Sequence, residues 1–374
     1  MQTPIRFSII THVAAWLLML ASAHAAELPP LSPVATPPAG TVRMSGAFGA
    51  RYDGNIGYLL GRALEMNRLL FPFEHRDQWQ RIMDWDGEYA GKWLDAAVHV
   101  AADTGHAELG AACDRLALRL RATEETDGYL GTELPANRLK PGWPLWMHWL
   151  AMKGLREHGQ WRGDDASIRA AVRGADWLLA TFSPITDEKN AMFRGDGVLA
   201  FLDEMAEVHA ITGDARYLDF AAAAIEHYAP MRQLRTTGRA LPMHAYNMLT
   251  WLGGAVRIAQ ARGDAEMLGW LASVWDDLAK NSLFPTASLT TEESVKEPPR
   301  DLPNAKLQET CATVEWLNFT HRLYAATGEV KYANMIERTV RNALLGAQRA
   351  ARRAIVRWPR VDLLHAAAQS EGVV

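Results

Sequence analysis

The spacing of apolar residues is the feature that most limits what this chain can form. Apolar side chains recur at helical intervals along several segments, most clearly at 93–102, 109–120 and 170–179. This spacing places them on one face of an α-helix, whereas the two-residue alternation typical of a β-strand is nearly absent. We therefore predict an all-α protein built from amphipathic helices.

Five predicted helix ends share one turn chemistry. Each places a glycine after the last helical turn, where it can adopt the left-handed conformation that ends a helix, and polar residues that can start the next helix follow. The five glycines are Gly105, Gly159, Gly213, Gly263 and Gly328. The first four recur at roughly 50 to 55 residues, the length of one helical hairpin, and the fifth follows a longer loop.

A repeat of helical hairpins can form an open solenoid or a closed α/α toroid. The connections between the hairpins are unequal, and the longer ones, at 81–88, 124–146, 183–201 and 284–308, carry Trp, His and acidic residues. Solenoid repeats are more uniform, whereas long loops at one end of a toroid can build a pocket. The loop pattern favours the toroid, with the solenoid as the alternative.

The N-terminus has the composition of an export signal. Arg6 precedes an apolar run at 7–21, and small residues that suit signal-peptide cleavage follow. We predict a signal peptide at 1–25, a Pro-rich linker at 26–44, and a periplasmic or secreted mature protein with no membrane association. A retained membrane anchor is the alternative, for which the apolar run is short.

Composition narrows the class of partners. The 374 residues are 49% hydrophobic and 22% charged, with a formal net charge of −4, which does not favour nucleic acid as a partner. The chain contains 14 Trp; exposed indoles stack on sugar faces, and the alternative is that most of them pack between helices. Cys113 and Cys311 have unrelated helical surroundings, so we expect them to be unpaired, with Cys113 in the core.

The segment 292–312 carries the most chemistry. It holds two separated carboxylates, Glu293 and Glu309, and the thiol of Cys311 beside a predicted helix start. A carboxylate and a thiol at this spacing can both reach a divalent cation such as zinc, while the other carboxylate can donate a proton. Taken singly, Cys311 is a small core residue, Glu309 a carboxylate favoured by a helix N-terminus, and Glu293 part of a solvated charge run. Their joint spacing favours an active-site segment.

The same segment resembles a known family. Its Glu293-Ser294, Leu302-Pro303-Asn304 and Glu309-Thr310-Cys311-Ala312 are similar to the Glu-Ser-Phe, Leu-Pro-Asn and Glu-Thr-Cys-Ala motifs of glycoside hydrolase family 127, the bacterial β-L-arabinofuranosidases. Further segments resemble family segments in the same order, at 87–94, 127–132, 145–148, 210–218 and 332–348. The ordered set covers residues 45–348, which we expect to form one α/α-barrel domain.

The resemblance implies an α/α six-hairpin barrel and a retaining glycosidase that acts on the furanosyl ends of oligo- or polysaccharides. In the family a zinc-held cysteine thiolate attacks the anomeric carbon while a glutamate protonates the leaving oxygen. Carried over residue by residue, Glu293 matches the general acid/base, and Glu309 and Cys311 match two zinc ligands. His244 and His148 are expected to contact sugar hydroxyls, and a structural role is the alternative for both.

The chain also departs from the family pattern. The family's nucleophile and last zinc ligand come from an adjacent Cys-Cys pair, which this sequence does not contain, and residues 349–374 form an atypical Arg- and Ala-rich tail. We expect a toroid that is truncated before that pair and before the family's sheet-rich domains, with weak zinc binding and poor catalysis. A short divergent homologue with a basic C-terminal helix is the alternative.

Three functions remain open. The first is an exported glycosidase of the β-L-arabinofuranosidase type. The second is a non-catalytic carbohydrate-binding remnant that keeps the pocket without the nucleophile. The third is a different α/α-toroid enzyme that degrades polysaccharides, such as a lyase or an unsaturated glycuronyl hydrolase, although no segment resembles the motifs of those families.

Overall fold

A computed structural model describes residues 37–79, 86–140, 143–185, 199–289, 293–295 and 309–347. The predicted signal peptide, the first part of the predicted linker and the predicted tail lie outside these residues. The helices are α1 (Gly46–Ala63), α2 (Met66–Glu74), α3 (Glu88–Thr104), α4 (Ala107–Arg121), α5 (Pro144–Arg162), α6 (Asp165–Phe182), α7 (Leu202–Thr212), α8 (Arg216–His227), α9 (Ala229–Thr237), α10 (Ala245–Arg262), α11 (Ala265–Asn281), α12 (Thr310–Thr327) and α13 (Val330–Thr339). A π-helical turn, Val340–Leu344, and a last turn, Leu345–Ala347, follow α13.

Helical hairpins surround a common axis. The first helices of the hairpins, α3, α5, α7, α10 and α12, pack against one another in chain order and form the inner layer. Their partners, α4, α6, α8 with α9, α11 and α13, pack on the outside. Within the described residues there is no β-strand, only two isolated bridges. The predicted all-α class and α/α toroid are therefore confirmed.

The inner helices are buried on most sides because each packs against neighbouring inner helices and against the outer helices. Trp146, Trp251 and Trp316, on α5, α10 and α12, are wholly buried, and burial of a large apolar side chain contributes about 2–3 kcal/mol. The buried indoles are those of Trp93, Trp146, Trp149, Trp177, Trp251, Trp270, Trp275 and Trp316. For these residues packing between helices, rather than sugar stacking, accounts for the high Trp content. Cys113 is also in the core and both cysteines are free, as predicted.

Four of the five predicted glycine turns are confirmed. Each of these glycines follows a helix in the left-handed conformation, with φ between 64° and 71°. They are Gly105, Gly213, Gly263 and Gly328. Because a residue with a Cβ is strained at such φ values, glycine is the residue that ends these helices at low cost.

The prediction for Gly159 is wrong. Helix α5 continues past it to Arg162 and ends at Gly163, which has φ 64°. A Cβ at Gly159 would lie 2.7 Å from the side chain of Ile168 on α6. The missing side chain at Gly159 therefore allows close approach of two helices, and the turn comes four residues later.

Among the described helices, none combines the length and the hydropathy that crossing a bilayer requires.

Candidate active site

One end of the barrel is formed by the N-terminal ends of inner helices. Trp146 in the first turn of α5 donates its Nε1–H to Glu88 of α3 at 3.0 Å. Its ring also packs against Tyr246 in the first turn of α10, with the ring centroids 5.2 Å apart. We call this end of the barrel, which also holds His244, Glu293, Glu309 and Cys311, the mouth.

A short segment at 293–295 is fixed to the start of α10 by backbone hydrogen bonds. The Ala245 N–H donates to the Glu293 carbonyl at 2.8 Å, and the Val295 N–H donates to the Met243 carbonyl at 2.9 Å. The side chain of Glu293 itself is 61% exposed. The segment is therefore held firmly by its backbone while the carboxylate remains open to a ligand.

The backbone of Glu293 is strained. Its φ is 62°, in the left-handed region, where a residue other than glycine costs about 1–3 kcal/mol. The hydrogen bond from the Ala245 N–H to the Glu293 carbonyl helps to hold this conformation. Strain of this kind clusters at functional sites, because the surrounding fold must impose a conformation that the chain would otherwise avoid.

His244 lies next to Glu293 and is the N-cap of α10. Its Nδ1 accepts the Asn247 N–H at 3.4 Å, so in the neutral ring the proton is on Nε2. That Nε2 is 3.8 Å from Oε2 of Glu293, and the ring meets Trp143 edge-on with centroids 6.3 Å apart. The Nε2 side of the imidazole therefore faces the Glu293 carboxylate.

Glu309 and Cys311 are at the start of α12. The Cys311 thiol donates to Oε2 of Glu309 at 3.5 Å. Burial raises the pKa of Glu309; the bond from the thiol opposes this shift, and the nearby Glu293 carboxylate adds to it. Burial, followed by the charge of Glu309, raises the pKa of Cys311 to about 12, so the thiol is protonated at neutral pH. The structure thus brings Glu293, His244, Glu309 and Cys311 together at the mouth.

These residues fit a zinc ion only in part. A tetrahedral zinc with sulfur at about 2.3 Å and oxygen at about 2.0 Å separates those two ligand atoms by about 3.5 Å. Cys311 Sγ and Glu309 Oε2 have this separation, at 3.5 Å. Tightly held zinc has three or four protein ligands, and no third His, Cys, Asp or Glu within the described residues completes a cluster with this pair.

His148 is not at the mouth. It is fully buried on α5, its Nδ1 accepts the Leu130 N–H at 3.0 Å, and its Nε2 donates to the Gly174 carbonyl at 3.0 Å. Burial lowers its pKa to about 4 and keeps the ring neutral. Because both ring nitrogens bond within the protein, the prediction that His148 contacts a sugar is corrected. It is a structural histidine that ties a loop to α6.

The sequence analysis did not single out several mouth residues. Lys92 on α3 lies 2.7 Å from Glu88 and 5.0 Å from the ring centroid of Tyr246. Trp143, which precedes α5, borders His244. Glu88 and Lys92 lie within the helix start at 87–94 that carries part of the family resemblance, and their four-residue spacing was the available signal for an ion pair.

Below the mouth, the barrel interior holds a second group of charges. Arg156 on α5 binds Glu204 on α7 through two hydrogen bonds of 2.6 and 2.8 Å, and both side chains are buried. We call this pair, together with its neighbours, the interior lattice. The other pairs of the interior lattice are Asp95 with Lys153 and Asp203 with Arg322. Each pair joins two different inner helices.

One possible metal-ligand group lies beside the interior lattice. Asp95, His99 and Glu157 have ligand atoms within 4.8 Å of one another. The ammonium of Lys153 lies 2.5 Å from Asp95, and Arg156 lies 2.8 Å from Glu157. Cations of the chain therefore already neutralise both carboxylates, and this group is separate from the predicted ligands at the mouth.

The two layers of helices define a class of fold, the α/α toroids. Residues 44–356 match the family model described as beta-L-arabinofuranosidase, GH127 catalytic domain. The chain belongs to this family. Membership sets aside the third function considered above, a different α/α-toroid enzyme.

Known relatives are similar at low sequence identity. A non-reducing end β-L-arabinofuranosidase of Bifidobacterium longum is 22% identical over 300 residues, which cover 67% of this chain and 44% of that protein. The structure of a GH127 β-arabinofuranosidase matches with a TM-score of 0.69 at 18% identity, over 84% of this chain and 55% of that one. A GH127 β-L-arabinofuranosidase from Geobacillus stearothermophilus T6 matches with a TM-score of 0.63 at 18% identity, over 75% and 50%. The chain spans about half the length of these relatives.

Proposed function

We propose that the protein is an exported glycosidase of the β-L-arabinofuranosidase type, acting on furanosyl ends of oligo- or polysaccharides. The observation that carries the proposal is the convergence of Glu293, His244, Glu309 and Cys311 at one open mouth of a toroid. The relatives named above supply the sugar class, since those proteins are β-L-arabinofuranosidases.

Glu293 is the general acid/base of the proposed reaction. Its exposed carboxyl group can give a proton to the departing glycosidic oxygen and can later take one from an attacking water. His244 Nε2 lies 3.8 Å from this carboxylate, so a small movement of either side chain would bring the Nε2–H into hydrogen-bond distance and orient the carboxylate. Zinc bound to Glu309 and Cys311 would keep the sulfur as a thiolate and fix its position.

By itself this polypeptide should hydrolyse such substrates poorly. The sequence has two cysteines, of which Cys113 is in the core and Cys311 is a protonated thiol that matches a zinc ligand of the family. Acid assistance from Glu293 alone contributes about 10²- to 10⁴-fold, which is far less than glycosidic cleavage needs. With two ligands where tight sites have three or four, zinc should bind weakly.

The test is a chromogenic β-L-arabinofuranoside assay on the purified protein, with a parallel zinc titration. We expect micromolar or weaker zinc binding and slow turnover, which Glu293→Gln lowers further by about 10²- to 10⁴-fold because it removes the acid assistance. Sub-micromolar zinc with robust turnover abolished by Cys311→Ala would contradict this part of the proposal, because Cys311 would then be the nucleophile.

Export is the second part of the proposal, and it rests on the N-terminal sequence pattern. Expression of the full chain in a bacterial host followed by cell fractionation and N-terminal mass determination tests it. A periplasmic or secreted product beginning near Ala26 is expected. An intact N-terminus in the cytosolic or membrane fraction would refute export while leaving the glycosidase assignment untouched.

A non-catalytic carbohydrate binder is the second candidate function. The observation that favours it is the protonated state of Cys311, which leaves the mouth without an activated nucleophile. Retention of β-L-arabinofuranosides without any turnover, with or without added zinc, would select this function over the first.

A further inference from the structure

An ion pair at the base of the mouth, Lys92 with Glu88, has hydrogen-bond donors and an acceptor that are not used within the described residues. Lys92 donates to Oε2 of Glu88 at 2.7 Å, and the same oxygen accepts the Nε1–H of Trp146 at 3.0 Å. Within the described part of the chain, no hydrogen bond reaches Oε1 of Glu88. The ammonium of Lys92 has three donors and uses one of them here.

Aromatic rings fix the ammonium in place. Lys92 Nζ is 5.0 Å from the ring centroid of Tyr246 and 5.7 Å from that of Trp146, distances at which a cation is attracted to a π-face. Trp146 is wholly buried and held by Glu88, so the aromatic wall is rigid. The pair is therefore pre-organised before any ligand arrives.

The pair is close to the proposed reaction centre. Tyr246, whose ring the ammonium faces, directly follows Ala245, and the Ala245 N–H donates to the Glu293 carbonyl at 2.8 Å. The charge of Lys92 also acts to lower the pKa of Cys311, against the larger effects of burial and Glu309. The Lys92 side chain is 34% exposed. The free donors of the ammonium are thus accessible from the mouth. No described residue other than Glu88 takes a hydrogen bond from Lys92.

We propose that Glu88 and Lys92 bind two neighbouring hydroxyl groups of the sugar ring, which makes them specificity residues of the site. A vicinal diol offers donors and acceptors side by side, and a free carboxylate oxygen next to free ammonium donors is its complement. This inference rests on the proposed function for the position of the sugar, with the ring lying between this pair and Glu293.

The test measures affinity by calorimetry with methyl β-L-arabinofuranoside and with its analogue that lacks both ring hydroxyls. Lys92→Met keeps the aliphatic stem and removes the donors, so it should weaken binding of the diol about 10- to 100-fold, the effect of losing charged hydrogen bonds. It should leave the already weak binding of the dideoxy analogue unchanged. Lys280→Met, at an exposed lysine of α11, is the matched control and should bind both sugars as the native protein does.

A second variant separates sugar contact from folding. The double change Glu88→Gln with Lys92→Met keeps an acceptor for Trp146 and leaves no unpaired buried charge. It should melt like the native protein and still bind the diol weakly. A loss of affinity that is equal for both sugars would assign Lys92 a structural role and overturn the inference.

The remaining outcomes distinguish this inference from the proposed function. If Lys92→Met binds the arabinofuranoside as the native protein does, the inference is wrong and the proposed function stands. If the native protein binds only another sugar, such as galactose or glucuronate, and Lys92→Met loses that binding, the arabinofuranosidase proposal is wrong and the inference stands. Binding of none of these sugars overturns both.

Discussion

The mouth and the interior of the barrel are both rich in charge, but their charges are partnered differently. In the interior lattice each acid faces a cation from another inner helix, as Glu204 faces Arg156 with both side chains buried. At the mouth, Glu293 and Glu309 lie near each other, and within the described residues the basic group recorded beside Glu293 is a nitrogen of His244 at 3.8 Å.

This difference separates groups that hold the fold from groups that are left for a ligand. A buried charge whose partner is removed is strongly destabilising, so the interior pairs fix the spacing of the inner helices. A carboxyl group that lacks a strong partner and has a raised pKa, as Glu309 does, is typical of a functional site, because a ligand or a proton completes it. The comparison therefore predicts opposite consequences for substitutions in the two regions.

The largest expected effect is in the interior. Arg156→Met leaves Glu204 buried without its cation, and we expect the free energy of unfolding to fall by about 3–5 kcal/mol. Arg162→Met is the matched control: it removes an equally bidentate pair with Asp114 near the surface end of the same helix and should cost about 1 kcal/mol or less. Urea unfolding of both variants measures the difference.

Equal losses for the two variants would remove the distinction between the interior lattice and the surface. A small loss for Arg156→Met alone would show that water or another cation reaches Glu204 when the guanidinium is absent.

The second effect is a pH dependence of stability that arises from the buried His148. The pKa of His148 is lowered to about 4 in the folded protein, whereas an unfolded histidine titrates near 6.5. Below pH 6.5 this histidine binds a proton in the unfolded chain but stays neutral in the folded protein. The free energy of unfolding therefore falls as the pH drops from 6.5 towards 4. The gap corresponds to about 3 kcal/mol.

His148→Gln can donate and accept at the same two places without titrating, so it serves as the control. We expect its free energy of unfolding to fall less steeply than that of the native protein between pH 6.5 and 4. Parallel curves for the two proteins would mean that His148 gains a proton in the folded state, against its complete burial.

The smallest effect is at the mouth and has the opposite sign. Burial and the nearby Glu293 raise the pKa of Glu309, so its charged form is less favoured in the folded protein than in the unfolded chain. Glu309→Gln should leave stability unchanged or raise it by less than about 1 kcal/mol, since the group is partly solvated. A thermal melt at pH 7 measures this. A clear loss of stability would show that Glu309, like the charges of the interior lattice, stabilises the fold.

The fold was predictable because its determinants are local. Apolar spacing and glycine turns identified the helices, and the error at Gly159 arose because that glycine serves packing against Ile168, a contact that no local pattern encodes. The pairing in the interior lattice was equally hidden: Arg156 and Glu204 lie 48 residues apart in the chain. Such pairs follow from the crossing of helices, which sequence spacing does not specify.

The site was predictable only where residues carried a family motif. Glu293, Glu309 and Cys311 were identified by their joint pattern, and His244 by its segment, and the structure brings the four together. His148 was misassigned because a buried histidine and a sugar-binding one look alike in sequence. Lys92 was overlooked because a lysine on a helix is usually solvated, and its aromatic surroundings come from two other helices.

Alkylation of Cys311 is the most direct test of the claim that the mouth is the sugar site. Cys311 is exposed and Cys113 is buried, so under native conditions a maleimide should label Cys311 alone. The labelling should be slow, because the raised pKa of Cys311 leaves little reactive thiolate, and its rate is followed over hours. With chelator present to remove metals, methyl β-L-arabinofuranoside at ten times its dissociation constant should slow this labelling about 10-fold, because roughly one site in eleven remains free. An unchanged labelling rate, at a sugar concentration that calorimetry shows to be saturating, would place the sugar elsewhere and contradict the account.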